Sequence, residues 1–80
     1  MTPQEILSEL RRVLDDLAPG VKLDEAHLDT RLSEVGYDSL DLANFLLAID
    51  EKYGVKISDD EAVELGTLRG YSRHIAEKTA

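Results

Sequence analysis

A single serine, Ser39, stands next to Asp38 and near Asp41 in the stretch VGYDSLDLANFLLAID, which covers residues 35–50. A serine in such a setting has three uses in proteins. It can cap a helix, act as a nucleophile, or accept a covalently attached group. The chain has no cysteine, and neither of its two histidines lies near Ser39 in sequence. The rest of the chain must therefore decide among the three uses.

Catalysis is the least favoured of these uses. His74 could in principle complete a triad with Ser39 and an aspartate, but the Gly-x-Ser-x-Gly elbow is absent. A chain of 80 residues also leaves little bulk for a substrate pocket. The two histidines, His27 and His74, lack the spacing of a metal site, and the Asp-rich segments do not fit the calcium loop of an EF-hand. We expect no catalytic residue and no metal ligand.

The net charge of −8 restricts the partners that the chain can bind. Binding to nucleic acid depends on Lys and Arg, and so does docking on anionic membranes. No apolar run is long enough to span a bilayer, and the N-terminus lacks the charged and apolar regions of a signal peptide. We expect a cytoplasmic monomer that binds no nucleic acid and inserts into no membrane.

The acidic residues are concentrated around and after Ser39. Residues 34–64 hold nine acids and two bases, a net charge of −7, whereas residues 65–80 hold one acid and three bases, a net charge of +2. Such a cluster is either a solvated helix face or a surface that steers basic partners. Its position beside Ser39 favours the second interpretation.

The periodicity of apolar residues predicts helices that would position this serine. Thr2, Pro3 and Glu5 form a capping signal for a first helix, which Pro19 and Gly20 end. A second long helix begins at Asp38 or Ser39 and ends at Gly54. Its inner stripe is predicted from Leu42, Ala43, Leu46, Ile49 and Tyr53, and a flanking stripe from Leu40, Phe45 and Leu47.

Two further helices follow. A capping box over residues 58–61 opens a short helix, and Thr67 caps a last helix, which Gly70 weakens by about 1 kcal/mol relative to alanine. Residues 20–37 form a long first loop, with a short helical turn predicted from Leu28 to Leu32. We predict one all-α domain over residues 1–80, a small bundle of three main helices plus one short helix.

The sequence GYDSLD, residues 36–41, resembles the Gly-x-Asp-Ser-Leu-Asp motif of acyl carrier proteins. The resemblance continues through LDLANFLLAIDEKYG, which is similar to that family's partner-recognition helix. It also includes VKISDDEAVEL and TLRGYSRHI, which are similar to the family's short third helix and the start of its last helix. The resemblance covers roughly residues 3–77 and implies an acyl-carrier-like fold.

The resemblance implies a role for Ser39. A phosphopantetheinyl transferase would attach 4′-phosphopantetheine from coenzyme A to its hydroxyl, and acyl groups would be carried as thioesters on the arm. This would explain the missing cysteine, since the arm brings its own sulfur. The carrier would not itself be an enzyme, and it would serve fatty-acid, polyketide or specialised lipid biosynthesis.

The resemblance also implies which residues meet the partners, namely acyl-transferring and acyl-modifying enzymes with basic patches. Two leucines, Leu40 and Leu47, would contact these enzymes beside the arm. The acids near the arm would face their basic patches. The partner-binding set is Asp38, Leu40, Asp41, Leu47, Asp50, Glu51, Asp59, Glu61 and Glu64.

Some residues depart from the family pattern and leave the pathway open. Asn44 stands where an acid is common, Tyr37 is bulky, and Phe45 replaces an aliphatic residue. Two alternatives are a peptidyl or aminoacyl carrier and an unmodified acidic helical adaptor. A glycine at the position of Tyr37 would favour the first of these, so Tyr37 followed by Asp38 favours the acyl class.

Overall fold

The computed structural model describes all residues from 1 to 80 and contains five α-helices with no strand. The predicted all-α bundle is confirmed. Three helices are long, and one of the remaining two is the predicted short helix before the last one. The helices are α1 Pro3–Leu17, α2 Leu32–Val35, α3 Ser39–Tyr53, α4 Asp59–Leu65 and α5 Leu68–Thr79, and a 3₁₀ turn covers Glu25–His27.

The first helix begins as its sequence predicts. The Thr2 hydroxyl accepts the Glu5 amide at 3.2 Å, and the Glu5 carboxylate accepts the Thr2 amide at 3.0 Å. These bonds satisfy two amides that the helix cannot use internally, and they lower the pKa of Glu5. Ile6, Leu10 and Leu14 recur at helical spacing and are the buried residues of this helix.

The buried face of α3 differs in part from the predicted one. Phe45 and Ile49 are its buried residues, whereas Ala43 is exposed. Phe45 therefore belongs to the centre of the core and not to a flanking stripe. Its ring meets that of Tyr71 edge-on at 5.2 Å between centroids, a favoured aromatic geometry.

One hydrophobic core of 13 buried residues joins the helices and the long loop. α3 packs against α1, and Tyr37, just before its start, lies within range of the charges of Asp15 and Arg11. The end of α3 lies nearer the middle of α1, where the Tyr53 hydroxyl donates to Glu9 at 2.5 Å. These contacts fix where the first turn of α3 emerges from the bundle.

The long loop packs on the core through Leu23, Leu28 and Leu32, all of which are buried. The predicted helical turn from Leu28 to Leu32 is wrong. The residues between these two leucines separate the 3₁₀ turn from α2, which itself begins at Leu32. The leucines of this loop are irregularly spaced, because each one packs on the core individually. The sequence therefore has no apolar periodicity from which the short turns could be predicted.

The corner between α4 and α5 is held to the loop by Arg31. Its guanidinium donates to the Val63 carbonyl at 2.6 Å, so that a cation lies at the C-terminal end of α4. The Leu32 amide also donates to the Gly66 carbonyl at 2.9 Å. Gly66 has φ +61°, and a Cβ there would lie 2.9 Å from the Arg31 guanidinium. The positive φ is the main reason that the corner favours glycine at position 66.

None of the five helices is long and apolar enough to cross a membrane.

Candidate attachment site at the start of α3

Ser39 is the first residue of α3 and is exposed. The residue that caps the helix is Asp38, whose carboxylate accepts the Asp41 amide at 2.8 Å. The Asp41 carboxylate in turn accepts the Asp38 amide at 3.1 Å. The two aspartates thus form a reciprocal cap, and the Ser39 hydroxyl takes no part in it.

The cap leaves backbone donors free beside the serine. The first amides of a helix have no partner within it. Those of Asp38 and Asp41 are used in the cap, and Leu42 donates to the Asp38 carbonyl at 3.1 Å. The amides of Ser39 and Leu40 remain at the positive end of the helix dipole, where an anionic group is stabilised.

The residues before Ser39 anchor the site on the core. Gly36 has φ +132°, a conformation that side-chain-bearing residues rarely adopt, and it turns the chain from α2 towards α3. Tyr37 follows and is 2 % exposed. Burial raises the pKa of the Tyr37 phenol, with a contribution from the Asp15 charge. A buried side chain two residues away therefore holds the exposed serine in place.

An exposed stripe runs along α3 from the serine. Leu40 and Leu47 are 68 % and 62 % exposed, and Ala43, Asn44 and Glu51 are exposed as well. The spacing i, i+3, i+4, i+7 and i+11 puts all five residues on one helix face. The two leucines of the predicted partner-binding set therefore share a surface next to Ser39.

A shallow groove of about 280 Å³ borders this stripe. It lies between α3 and the segment that follows, with Asp50 on one side and Lys56 on the other. Lys56 and Ile57 were not predicted from the sequence, because no periodicity in the 54–58 connection assigns them to a face. The residues lining the groove are Ala43, Leu46, Leu47, Asp50, Lys56 and Ile57.

The predicted partner-binding acids of α4 differ in whether their carboxylates are held by hydrogen bonds within the protein. Asp59 and Glu64 are exposed. Glu61 instead accepts the Ser58 amide at 3.2 Å and hydrogen-bonds the Ser58 hydroxyl, and these bonds lower its pKa. Val63 is 65 % exposed and was also not predicted, since an isolated apolar residue in a short helix reads as a core position.

The histidines are used elsewhere in the fold. His27 Nδ1 accepts the Asp24 amide at 3.0 Å at the 3₁₀ turn. His74 Nε2 lies 3.8 Å from the Glu61 carboxylate, between α5 and α4. Neither histidine is hydrogen-bonded to Ser39, so the structure shows no Ser–His pair of the kind that activates a hydroxyl.

The site therefore fits a phosphate-linked group. Ser39 offers an exposed hydroxyl, two free amides can face the phosphate, and Leu40 presents an apolar surface at the next position. The Asp38 and Asp41 carboxylates oppose the phosphate charge, but their mutual cap ties each one to a backbone amide.

Comparison with known proteins also supports a phosphate-linked prosthetic group. Residues 4–75 match the family model described as phosphopantetheine attachment site. The chain is 32 % identical over 72 residues to an acyl carrier protein of Campylobacter hominis, covering 89 % of this chain and 90 % of that protein. It is 39 % identical over 64 residues to the actinorhodin polyketide synthase acyl carrier protein of Streptomyces coelicolor, covering 76 % and 74 %.

A shorter match, 37 % identical over 49 residues, joins it to an acyl carrier protein of Zymomonas mobilis. This match covers 61 % of this chain and 63 % of that protein. The family model spans most of the chain, including α1, the long loop, α3 and α4. The chain belongs to the acyl carrier protein family, whose cofactor is 4′-phosphopantetheine.

Proposed function

We propose that Ser39 is the attachment point of 4′-phosphopantetheine and that the protein carries acyl groups between enzymes. The observation that supports this most strongly is the division of work at the start of α3. Asp38 caps the helix, so the Ser39 hydroxyl is exposed and unengaged beside two free amides. A serine kept only for capping would make the bond that Asp38 makes.

Each residue at this site has a role in the proposal. The Ser39 Oγ attacks the phosphate of coenzyme A that bears the pantetheine, forming an Oγ–P bond as the bond to the nucleotide phosphate breaks and the serine proton leaves. The transferase supplies the catalysis. When bound, the arm supplies a thiol that holds the acyl group as a thioester. The Ser39 and Leu40 amides stabilise the phosphodiester.

The α3 stripe and the acids around it form the proposed docking surface. Leu40 and Leu47 are exposed beside Ser39, and Asp50, Glu51, Asp59 and Glu64 supply charge that speeds encounter with basic enzymes. Asp38, Asp41 and Glu61 keep their place in this set, but their carboxylates already hold helix starts. We expect their replacement to affect folding as well as docking.

The pathway is proposed only as a class. The relatives include a polyketide synthase carrier and carriers named without a pathway, so fatty-acid, polyketide and specialised lipid synthesis all stay open. The family consists of carriers and not of catalysts, and we propose that this chain has no enzymatic activity of its own. The continuous core supports a single carrier domain, and a cytoplasmic monomer stays our prediction.

The carrier function can be tested with acyl-coenzyme A and a broad-specificity phosphopantetheinyl transferase. We expect intact-mass analysis to show one added acyl-phosphopantetheine, and neutral hydroxylamine to remove the acyl group but leave the arm. A mass that stays unchanged while a control carrier is loaded would favour the unmodified adaptor. Aminoacyl groups found on protein purified from its own cell would favour the peptidyl carrier.

A further inference from the structure

A concavity of the protein lies away from α3 and α4. It is a cleft of about 660 Å³ between the first three turns of α1, the start of α5 and the 3₁₀ turn. No residue of the proposed attachment site or its docking surface lines it. We call it the arginine cleft, and its lining residues are Thr2, Pro3, Gln4, Leu7, Ser8, Arg11, Glu25, Leu28, Arg69, Ser72 and Arg73.

The arginine cleft differs in charge from the rest of the molecule. Three of the five arginines in the chain, Arg11, Arg69 and Arg73, line it together with one carboxylate, that of Glu25. The whole chain carries a net charge of −8. A local excess of positive charge on so acidic a protein is a separate electrostatic feature and not an extension of the surface near Ser39.

The three guanidiniums are only partly used within the protein. Arg11 donates to the Leu23 carbonyl at 3.0 Å and lies 3.7 Å from Glu25. Arg69 donates through Nε to Asp29 at 2.8 Å. Arg73 is exposed and forms no ion pair. Because each guanidinium carries five N–H donors, most of these donors have no hydrogen-bond partner within the protein.

The acids near the cleft do not close it. The side chains of Glu25 and Asp29 are 88 % and 73 % exposed, so both can move aside at little cost. Exposed ion pairs of this kind contribute little to stability. An incoming carboxylate can therefore compete for Arg11 and Arg69 while it binds Arg73.

We propose that the arginine cleft is a docking surface for an acidic, glutamate- or aspartate-rich segment of a partner protein. Guanidiniums bind carboxylates through paired hydrogen bonds. The apolar side chains of Leu7 and Leu28 line the same cleft and can contact the methylene groups of glutamate. The opening between two helices suits a short run of side chains.

The position of the cleft gives the proposal a consequence for the carrier. A partner seated against α1 and α5 would leave Ser39, Leu40 and Leu47 free. The protein could then be held by one acidic partner while the arm visits basic enzymes on the other side. The two surfaces select partners of opposite charge.

The test uses the full chain and a short oligo-glutamate peptide, with an oligo-glutamine peptide of equal length as the neutral probe. We expect the acidic peptide to shift backbone amide resonances of residues 4–11 and 69–73, and the neutral peptide to shift none. Arg73→Glu should weaken peptide binding roughly tenfold or more. Lys78→Glu, the same charge change on the same helix outside the cleft, should weaken it less than about twofold.

Three results would overturn the proposal. The first is that Arg73→Glu and Lys78→Glu weaken peptide binding equally. The second is that inorganic phosphate binds in the arginine cleft as tightly as the peptide does, and the third is that the chain self-associates through the residues of the cleft. Loading of Arg73→Glu with phosphopantetheine should equal that of the wild type. Loading that fails for every variant would count against the proposed function and not against the cleft.

Discussion

At the scale of single residues, the attachment corner separates a structural residue from a chemical one. Asp38 and Asp41 exchange hydrogen bonds that start α3, whereas Ser39 is exposed and outside the cap. Loss of a capping side chain costs about 1 kcal/mol. Replacing Asp38 should therefore lower the free energy of unfolding, whereas replacing Ser39 should leave the fold intact. Ser39 is for this reason suitable for a direct chemical test.

Two tyrosines with raised pKa values should respond differently to loss of their hydroxyls. Tyr53→Phe removes the bond to Glu9 and should lower the free energy of unfolding by about 1 kcal/mol near neutral pH. Tyr37→Phe should be neutral or stabilising, because the Tyr37 hydroxyl is buried without a hydrogen-bond partner. Urea unfolding followed by circular dichroism measures both, and equal losses would contradict the assignment.

The pH dependence of Tyr53 follows from its raised pKa, caused first by burial and then by the bond to Glu9. The folded state holds the phenol proton more tightly than the unfolded state does. Its contribution to stability is therefore complete below pH about 10, the value for a free tyrosine, and is lost as the pH rises further. Tyr53→Phe should lose less stability than the wild type over that alkaline range.

At the scale of elements, Gly70 in α5 should resist replacement despite its poor helix propensity. A Cβ at this position would lie 2.6 Å from the Leu65 carbonyl oxygen, which belongs to the backbone and cannot swing away. Gly70→Ala should therefore lower the free energy of unfolding by about 1–3 kcal/mol, where propensity alone predicts a gain of about 1 kcal/mol.

Gly20→Ala is the matched control for that change. Nothing lies within 4 Å of a Cβ at Gly20, and its φ is not positive. This substitution should be neutral or stabilising by up to about 1 kcal/mol. Thermal unfolding of both variants decides the matter, and a more stable Gly70→Ala protein would show that α4 and α5 do not approach as closely as described.

The elements also show which features a sequence can predict. The capping boxes at Thr2 and Ser58 were predicted because both partners of each bond lie within three residues. Arg31 and the Val63 carbonyl are 32 residues apart, and no local pattern joins them. The close approach of Gly70 to Leu65 was missed because it depends on the angle at which α5 leaves α4, and the glycine looked only like a weak point.

The exposure of the proposed site residues was more predictable than the shape of the loop before them. The motif singles out Ser39 and the resemblance singles out Leu40 and Leu47, and all three are exposed. Phe45 was placed beside the core and not at its centre, because α3 is apolar on several sides and its sequence does not reveal the buried face. Lys56 and Val63 could be assigned to a surface only once α3, α4 and the connection between them had been placed.

At the scale of the whole molecule, charge is divided between two surfaces. Residues 34–64 carry a net charge of −7, while the arginine cleft lies between α1 and α5. Charges on a surface steer partners over distances of about 10 Å at 0.1 M salt and about 3 Å at 1 M. Reactions at Ser39 should therefore slow as salt is added.

Reversal of one acid beside the arm should slow loading by the transferase. Glu51→Lys changes an exposed residue of the α3 stripe that makes no ion pair, and we expect the loading rate at low salt to fall at least about threefold. Glu77→Lys makes the same charge change at an exposed position of α5 and should load at nearly the wild-type rate. Equal rates for both variants, or loading that ignores salt, would remove the steering argument.

The most direct test of the proposed attachment removes one oxygen atom, the Ser39 Oγ. Wild-type protein, Ser39→Ala and Ser33→Ala are incubated with coenzyme A and a broad-specificity transferase and then weighed intact; Ser33 is an exposed serine in α2. If the arm is attached at Ser39, one phosphopantetheine should be added to the wild type and to Ser33→Ala and none to Ser39→Ala. All three proteins should be equally helical. Addition of the arm to a folded Ser39→Ala protein would contradict the proposed attachment.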